Sequence, residues 1–395
     1  MTPDTLELCR RALHWAQERN YTGYDKHDAL NSPLLRRLTA KSRKLRAASV
    51  YAVSRSPVNL RPLLGVRKGQ NPKGLSLFAR TCFNLYTLTG ERRYLDEGLR
   101  LLDVLLPLSQ REAHAGHCWG YDHPWENLRF YIPAYDPNCV VTCFVGTAFR
   151  HAFKLTNDER YASVHRSAAD FLLHDLQRID VGPDLRCCSY DTRSNWKVIN
   201  VNALAAAYLA GVYARTNEAP LAEAAQKMMH WVVKQQTRYH AWYYTDPPNA
   251  SRITHDNYHT GFVLDALREY LNVIEGVASE QAWRRGMAYY QANLFTPDGA
   301  PKWMHDQPHP HDIHGAAQGI ITFSRSAMDA ERMAFAQRIL EWTLANLYEP
   351  NTGRFYYQRG RLWTKRFTFM RWSQAWMCYA LSALASAERA AEIAR

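Results

Sequence analysis

Residues 83–106, FNLYTLTGERRYLDEGLRLLDVLL, read as the end of one helix, a Thr-Gly break, an acidic first turn and a second helix. Gly after a helix supplies the left-handed cap. Acidic residues just beyond it suit the next helix's N-terminus. The same grammar returns at residues 149–173, FRHAFKLTNDERYASVHRSAADFLL, and at residues 210–233, AGVYARTNEAPLAEAAQKMMHWVV, with Asn in place of Gly. Weaker copies start at Arg268 and Ile321. The second helices begin near residues 91, 158, 219, 280 and 330. That period of roughly 50 to 67 residues marks stacked supersecondary units. With residues 5–55 as an irregular further copy, the count is about six helical hairpins.

Links within a hairpin are short, and links between hairpins run to about 20–30 residues, a length usually kept for function. Each long link holds an aromatic, strand-like snippet, then a polar stretch, then a helix start. The snippets include CWGYDHPWENLRFYI, CCSYDTRSNW, AWYYTDPPN, PKWMHDQ and GRFYYQRGRLW. The helices that follow are apolar on most faces and rich in Ala, Gly and Ser, so they are expected between neighbours. The second helices carry one apolar stripe, such as Tyr94, Leu95, Leu99 and Leu102, and are expected outside. An inner ring of small-residue helices within an outer amphipathic ring is an all-α toroid, here one domain over residues 1–395, with its long loops on one face.

The 395 residues are 47% apolar and carry a formal charge of +12. No apolar run approaches the ~18–20 residues of a membrane span, so no membrane insertion is expected. The N-terminal stretch reads as a helix of the mature chain. Eight scattered Cys with no CxxC pair read as reduced, buried thiols, and the chain as cytoplasmic. The basic residues cluster only in RRLTAKSRKLRAASVYAVSR, Arg36–Arg55. Nucleic acid, anionic lipid and an acidic substrate all suit a basic chain. No nucleic-acid-binding motif occurs, and no nucleic-acid partner is expected. Many of the 12 Trp and 23 Tyr sit in polar loops, a placement less expected from core packing. No GxSxG, Walker A or GxGxxG pattern occurs, and no cofactor is expected.

Several loop clusters carry candidate chemistry. RITHDNYHTGF sets His255, Asp256, Tyr258 and His259 around a helix start. One Asp or Asn is enough for a cap, so these residues are either capping plus packing or a site. PHPHDIHGAAQG places Asp312, His314 and Gln318 at the next inner-helix start. With His309 and His311 the HxHxxH pattern admits a metal, glycan contact or an ordinary polar loop. GYDKHDAL brings together Tyr24, Asp25 and Asp28, as a cap or a carboxylate pair. WGYDHPWENLRFYIPAYDPN holds Trp119, Tyr121, Trp125 and Glu126, as sugar-stacking aromatics around a carboxylate or as a loop minicore. YDTRSNWKVINVN adds Asp191 and Asn202. The last loop and helix add Arg366, Arg371 and Trp372, where an Arg can clamp a carboxylate.

With these features in hand, the chain resembles the six-hairpin (α/α)6-toroid superfamily of carbohydrate-active enzymes. That group includes glycoside hydrolases, unsaturated uronyl hydrolases, polysaccharide lyases, N-acylglucosamine 2-epimerases and glucuronyl C5-epimerases. The local likeness is strongest over Gly353–Leu384, an aromatic strand before an inner helix with Trp and Gln. The resemblance implies a cleft at the inner-helix N-termini, and those termini favour anionic ligands. A sugar or acidic, uronate-containing oligo- or polysaccharide is the expected partner. Hydrolysis would draw on Asp25, Asp28, Glu126, Asp191, Asp256 or Asp312. Elimination or epimerisation would use Tyr258, His259 or His314 to move protons while Arg366 or Arg371 holds the carboxylate. A 2-epimerase-like sugar isomerase and a non-catalytic glycan- or protein-binding toroid are the alternatives.

Overall fold

The Thr-Gly and Thr-Asn breaks form the same turn three times in the computed structural model, which describes residues 4–126, 131–325 and 329–394. Gly90, Asn157 and Asn217 all adopt positive φ, and their N–H groups bond to the carbonyls of Tyr86, Phe153 and Tyr213. The preceding Thr89, Thr156 and Thr216 each donate to the carbonyl four residues back. Each also accepts the N–H of the acidic residue two positions on, at 3.2–3.4 Å. The repeated threonine therefore stitches the end of one helix to the start of the next.

Fourteen α-helices lie among the described residues. They are α1 (Thr5–Gln17), α2 (Pro33–Thr39), α3 (Arg43–Arg55), α4 (Pro72–Thr89), α5 (Arg92–Leu105), α6 (Cys139–Thr156) and α7 (Glu159–Asp170), then α8 (Ile199–Thr216), α9 (Ala219–Lys234), α10 (Asn257–Leu271), α11 (Val277–Leu294), α12 (Ile313–Ser324), α13 (Ala330–Leu347) and α14 (Trp376–Ile393). The second helices start within a few residues of the expected positions. Residues 326–328, in the link of the last predicted copy, and residues 127–130, in the first aromatic loop, lie outside the described residues.

The chain divides into two compact units. Met1–Leu108, Trp119–Asp136 and Asp312–Arg395 make the first. Ser109–Cys118 and Pro137–His311 make the second. Within the first, α14 packs against both α4 and α12, with α5, α13 and α1 paired to α4, α12 and α14. Within the second, α8 packs against α6 and α10, with α7, α9 and α11 as their partners. Each unit thus holds three hairpins.

One of the six hairpins is not the one the sequence suggested. α1 does not form a hairpin with α2 or α3. α1 packs on α14, where Cys9 Sγ contacts the Cys378 carbonyl at 3.5 Å and Thr5 Oγ1 donates to Glu388 at 3.2 Å. α2 and α3 instead close a small satellite core of Ala29, Leu30, Val50 and Val53.

Burial follows the expected division of labour. α8 is buried on nearly every face, whereas α5 buries only a stripe that includes Tyr94, Leu95, Leu101 and Leu102. Small residues let the buried helices approach. A Cβ on Gly146 of α6 would lie 2.0 Å from the Tyr208 hydroxyl of α8, which is held by a bond to the His165 carbonyl. Gly146→Ala gains helix propensity, but it must displace a buried, hydrogen-bonded ring. We expect a net loss of about 1–3 kcal/mol in denaturant unfolding.

The aromatic snippets form short antiparallel pairs, among them Trp125–Glu126 with Tyr131–Ile132 and Arg354–Phe355 with Tyr348–Glu349. All eight cysteines are buried and free of disulfides. Among the described residues no helix is long and apolar enough to cross a membrane.

Candidate functional site

In the first unit, three inner-helix starts bring polar side chains together. Asn71 caps α4, and its amide donates to Asp122 Oδ1 at 2.7 Å. Asp312 caps α12 by accepting the His314 N–H at 2.9 Å. A wide π-type turn, Met370–Ala375, leads into α14 and carries Arg371 and Trp372. The loop with Tyr24, Asp25 and Asp28 is tied in by the Met370 N–H to the Tyr24 carbonyl, at 3.0 Å.

Asp25 is buried and gripped by Arg371 at 2.6 and 2.5 Å. Burial alone would raise its pKa, but the Arg371 guanidinium, with His123 behind it, holds the carboxyl below the usual range. Burial works against a charged His123. Its bond to Asp122 at 3.0 Å and the nearby Asp25 carboxylate outweigh that and raise it. Asp25, Asp122 and His123 offer ligand atoms within 4.8 Å of one another. Arg371 already occupies both Asp25 oxygens, and Asp122 Oδ1 meets both the Asn71 amide and His123 Nδ1.

Beside it stands an aromatic group. The Lys26 ammonium sits 3.8 Å from the Trp372 ring centre and 3.7 Å from Asp312 Oδ2. Asp312 also accepts from Trp372 Nε1 at 2.9 Å and Gln358 Nε2 at 2.7 Å. His314 packs its ring 4.5 Å from both Trp372 and Trp376. Half-buried His27 and Trp125 stack at 5.8 Å, and Tyr121 meets Trp125 edge-on. Burial and the adjacent Lys26 hold His27 well below the ordinary imidazole value. Burial and Arg371 do the same to the Lys73 amine, at the start of α4.

In the second unit the start of α10 answers the question its sequence raised. Asp256 occupies the N-cap position yet makes no capping bond. Its Oδ2 lies 2.8 Å from His259 Nδ1 instead, within ion-pair distance but without the alignment of a hydrogen bond. The half-buried His259 ring packs against Tyr244 at 4.4 Å and Tyr258 at 4.3 Å, and Trp303 lies 6.1 Å beyond Tyr258. The result is a carboxylate–imidazole dyad on an aromatic bed. His255 is different. Nδ1 meets the Trp242 carbonyl at 2.8 Å and Nε2 the Tyr239 hydroxyl at 2.7 Å, so both ring nitrogens are engaged.

Several expected contact residues serve the scaffold. Trp119 is fully buried and its indole N–H bonds to the Leu105 carbonyl at 2.8 Å. Glu126 is buried under Arg43 and Arg46, one on each oxygen at 2.8 Å. Asp28 is locked to fully buried Arg61 at 2.6 Å, and burial pushes it up to about 6 in spite of that partner. Asp191 shapes its own turn by accepting the N–H groups of Arg193 and Ser194 at 2.8 Å. Asn202 braces the preceding hairpin through both main-chain groups of Cys188. Gln318 is buried one turn beyond His314 and donates to Thr322 at 3.0 Å. Arg366 is exposed, apart from the Asp25 cluster. In the HxHxxH run the exposed His309 meets His311 edge-on at 4.5 Å, His311 is held by the Pro301 carbonyl, and His314 sits apart in the indole box.

Sequence reading passed over Lys26, His27, Lys73, His123 and Tyr244. Lys26, His27, His123 and Tyr244 sit inside stretches it singled out, but nothing in chain order says which neighbour turns inward. The signal for Lys73 was Asn-Pro at a helix start, which fixes it in the first turn.

No family model matches the chain, and no curated protein matches it in sequence. Solved structures do match. An unsaturated glucuronyl hydrolase from Bacillus sp. GL1, responsible for the degradation of glycosaminoglycan, is 14% identical with a TM-score of 0.62, over 98% of this chain and 96% of that one. A Listeria innocua protein is 12% identical at TM-score 0.64, over 99% of each chain. A cellobiose 2-epimerase from Spirochaeta thermophila is 11% identical at TM-score 0.63, over 82% of this chain and 87% of that one. The chain therefore has the (α/α)6-toroid fold that these structures share, as its repeating hairpins implied.

Proposed function

We propose that the protein is a glycan-processing enzyme that moves a proton at a sugar carbon, by elimination or epimerisation, on an acidic substrate. The Asp256–His259 dyad carries this reading. A carboxylate on Nδ1 orients the imidazole and stabilises the imidazolium that forms, which leaves Nε2 to exchange the proton. In a uronate the C5–H bond lies next to the carboxylate. Its heterolysis sends the electron pair toward that group while His259 takes the proton. Return of the proton to the other face gives the epimer, and loss of the C4 substituent gives an unsaturated product. Tyr244, Tyr258 and Trp303 supply aromatic surface for a sugar ring, with Tyr258 a second proton carrier.

The charge of +12 and the inner-helix N-termini favour an anionic sugar. The glucuronyl and cellobiose substrates named for two proteins of the same fold support a sugar as the substrate, one of them acidic and the other neutral. Hydrolysis fits less well. It needs one carboxylic acid as proton donor and a second carboxylate across the bond. Asp25 is held ionised by Arg371, Asp28 is sealed with Arg61, Glu126 with Arg43 and Arg46, and Asp312 accepts three hydrogen bonds with Lys26 nearby.

The test is incubation in deuterated water with a panel of uronic-acid and neutral oligosaccharides. Deuterium at C5, or new ultraviolet absorbance from an unsaturated uronate, is the expected result. Deuterium at C2 of a reducing sugar would mean 2-epimerisation. Reducing ends without exchange or absorbance would mean hydrolysis. Binding with no chemistry on any substrate would mean a glycan-binding toroid and would end the enzyme reading.

A further inference from the structure

The basic stretch Arg36–Arg55 has no part in either cluster beyond the two arginines that hold Glu126. It belongs to a longer region of one sign. Between Asp28 and Glu91 the chain carries twelve Lys or Arg and no Asp or Glu. Between Glu349 and Glu388 it carries six Lys or Arg and again no acid.

The fold brings the two regions together. α2 and α3 pack inward through Leu35, Val50 and Val53, and Leu64 closes the same satellite core. Their other faces are open. On α3 the outward stripe is Lys44, Ala48, Tyr51 and Arg55, with Leu45 beside it. α2 presents Leu34 and Leu38 one turn apart, next to Arg37. The 358–365 hairpin is tied to the end of α3, where Lys365 Nζ donates to the Arg55 carbonyl at 3.0 Å. Its tip carries Leu362 and Trp363 between Arg361 and Arg366.

Large apolar side chains on α2, on the link after α3 and on the hairpin tip are well exposed. Leu38 is 67% exposed, Leu63 83%, Leu362 82% and Trp363 56%. Single exposed leucines are ordinary. Here they alternate with cations, and among the described residues Arg36, Arg37, Lys41 and Lys44 make no ion pair. A basic polar face interleaved with Leu and Trp is the signature of a surface that lies in a bilayer interface. A soluble polyanion would use the cations but gain nothing from Leu38 or Leu362. A second copy of this chain would bring like charges into contact.

We propose that this face of the first unit docks on an anionic phospholipid bilayer, cations against the headgroups and Leu38, Leu63, Leu362 and Trp363 in the interface. The test is co-sedimentation of the whole protein with phosphatidylcholine vesicles, with and without phosphatidylserine. We expect partitioning only onto the phosphatidylserine vesicles, weakened by salt. At ~1 kcal/mol per basic side chain, Lys41→Gln with Lys44→Gln lowers the partition coefficient about 30-fold. Leu38→Ser with Trp363→Ser lowers it about tenfold or more and leaves retention on heparin, a soluble polyanion, unchanged. These side chains are exposed, so unfolding midpoints should hold in all variants. Failure to bind phosphatidylserine vesicles, or equal binding to neutral ones, overturns the proposal. So does vesicle binding indifferent to Leu38 and Trp363, which would mark a polyanion surface. A concentration-dependent dimer abolished by Leu38→Ser, without vesicle binding, would mark a self-association face instead.

Discussion

Arg371→Met lowers the stability of the protein by about 3–5 kcal/mol, read as a shift of the denaturant midpoint at unchanged slope. The reason is what the substitution leaves behind. Asp25 is buried and takes both of its charge-assisted bonds from Arg371, with the Lys26 main-chain N–H at 2.6 Å as its further donor. Without the guanidinium, a carboxylate with no adequate partner stays in a low-dielectric site or must take up a proton. The pH dependence gives the sign. In the native protein Asp25 titrates below its unfolded value, so its stabilising contribution is complete above about pH 4 and fades as pH falls. The Arg371→Met deficit is therefore largest near neutrality and shrinks in acid, where Asp25 is protonated in either protein. The double variant Asp25→Asn/Arg371→Met removes both charges and should recover much of the loss. A single variant within about 0.5 kcal/mol of the native protein would mean that the pair contributes little.

His259→Ala lowers turnover about 10²–10⁴-fold, compared on protein that circular dichroism shows to be folded at the assay temperature. The ring is half-buried at a helix start and holds no main-chain group, but it is the partner of the buried Asp256 carboxylate, so its removal costs stability as well as chemistry. Asp256→Asn acts through it. The amide keeps shape and volume but cannot balance an imidazolium, so turnover falls while KM is nearly kept. His255→Gln is the useful contrast. His255 sits four residues earlier but bonds Trp242 and Tyr239 through its two nitrogens. Its loss should lower stability and change kcat much less. If His259→Ala turned over at the native rate, the dyad would be structural and proton transfer would lie elsewhere.

Much of the site's neighbourhood was legible, but its assignments were less so. Asp256 and His259 stood out because a cap needs one polar residue and the sequence offered five in a row, residues 255–259. Asp25 and Arg371 were both singled out, yet 346 positions separate them along the chain. No local pattern announces that an arginine expected to meet a substrate carboxylate is matched to one of the protein's own. Glu126 and Trp119 misled for the opposite reason. A carboxylate among aromatics reads as chemistry in one dimension, whereas α3 lays two arginines across it.

The sequence by itself determined five of the six helical hairpins, their spacing and their inner or outer character. Those follow from local forces: a left-handed cap, a threonine that bonds backward and forward, and the width of an apolar stripe. Tertiary structure decided which ends meet. α1 finds its partner at the far end of the chain, and Arg371 finds Asp25, because buried helices and buried charges are satisfied by whatever the fold brings near. Such pairings depend on distance in space, and a periodic pattern along the chain carries no record of that.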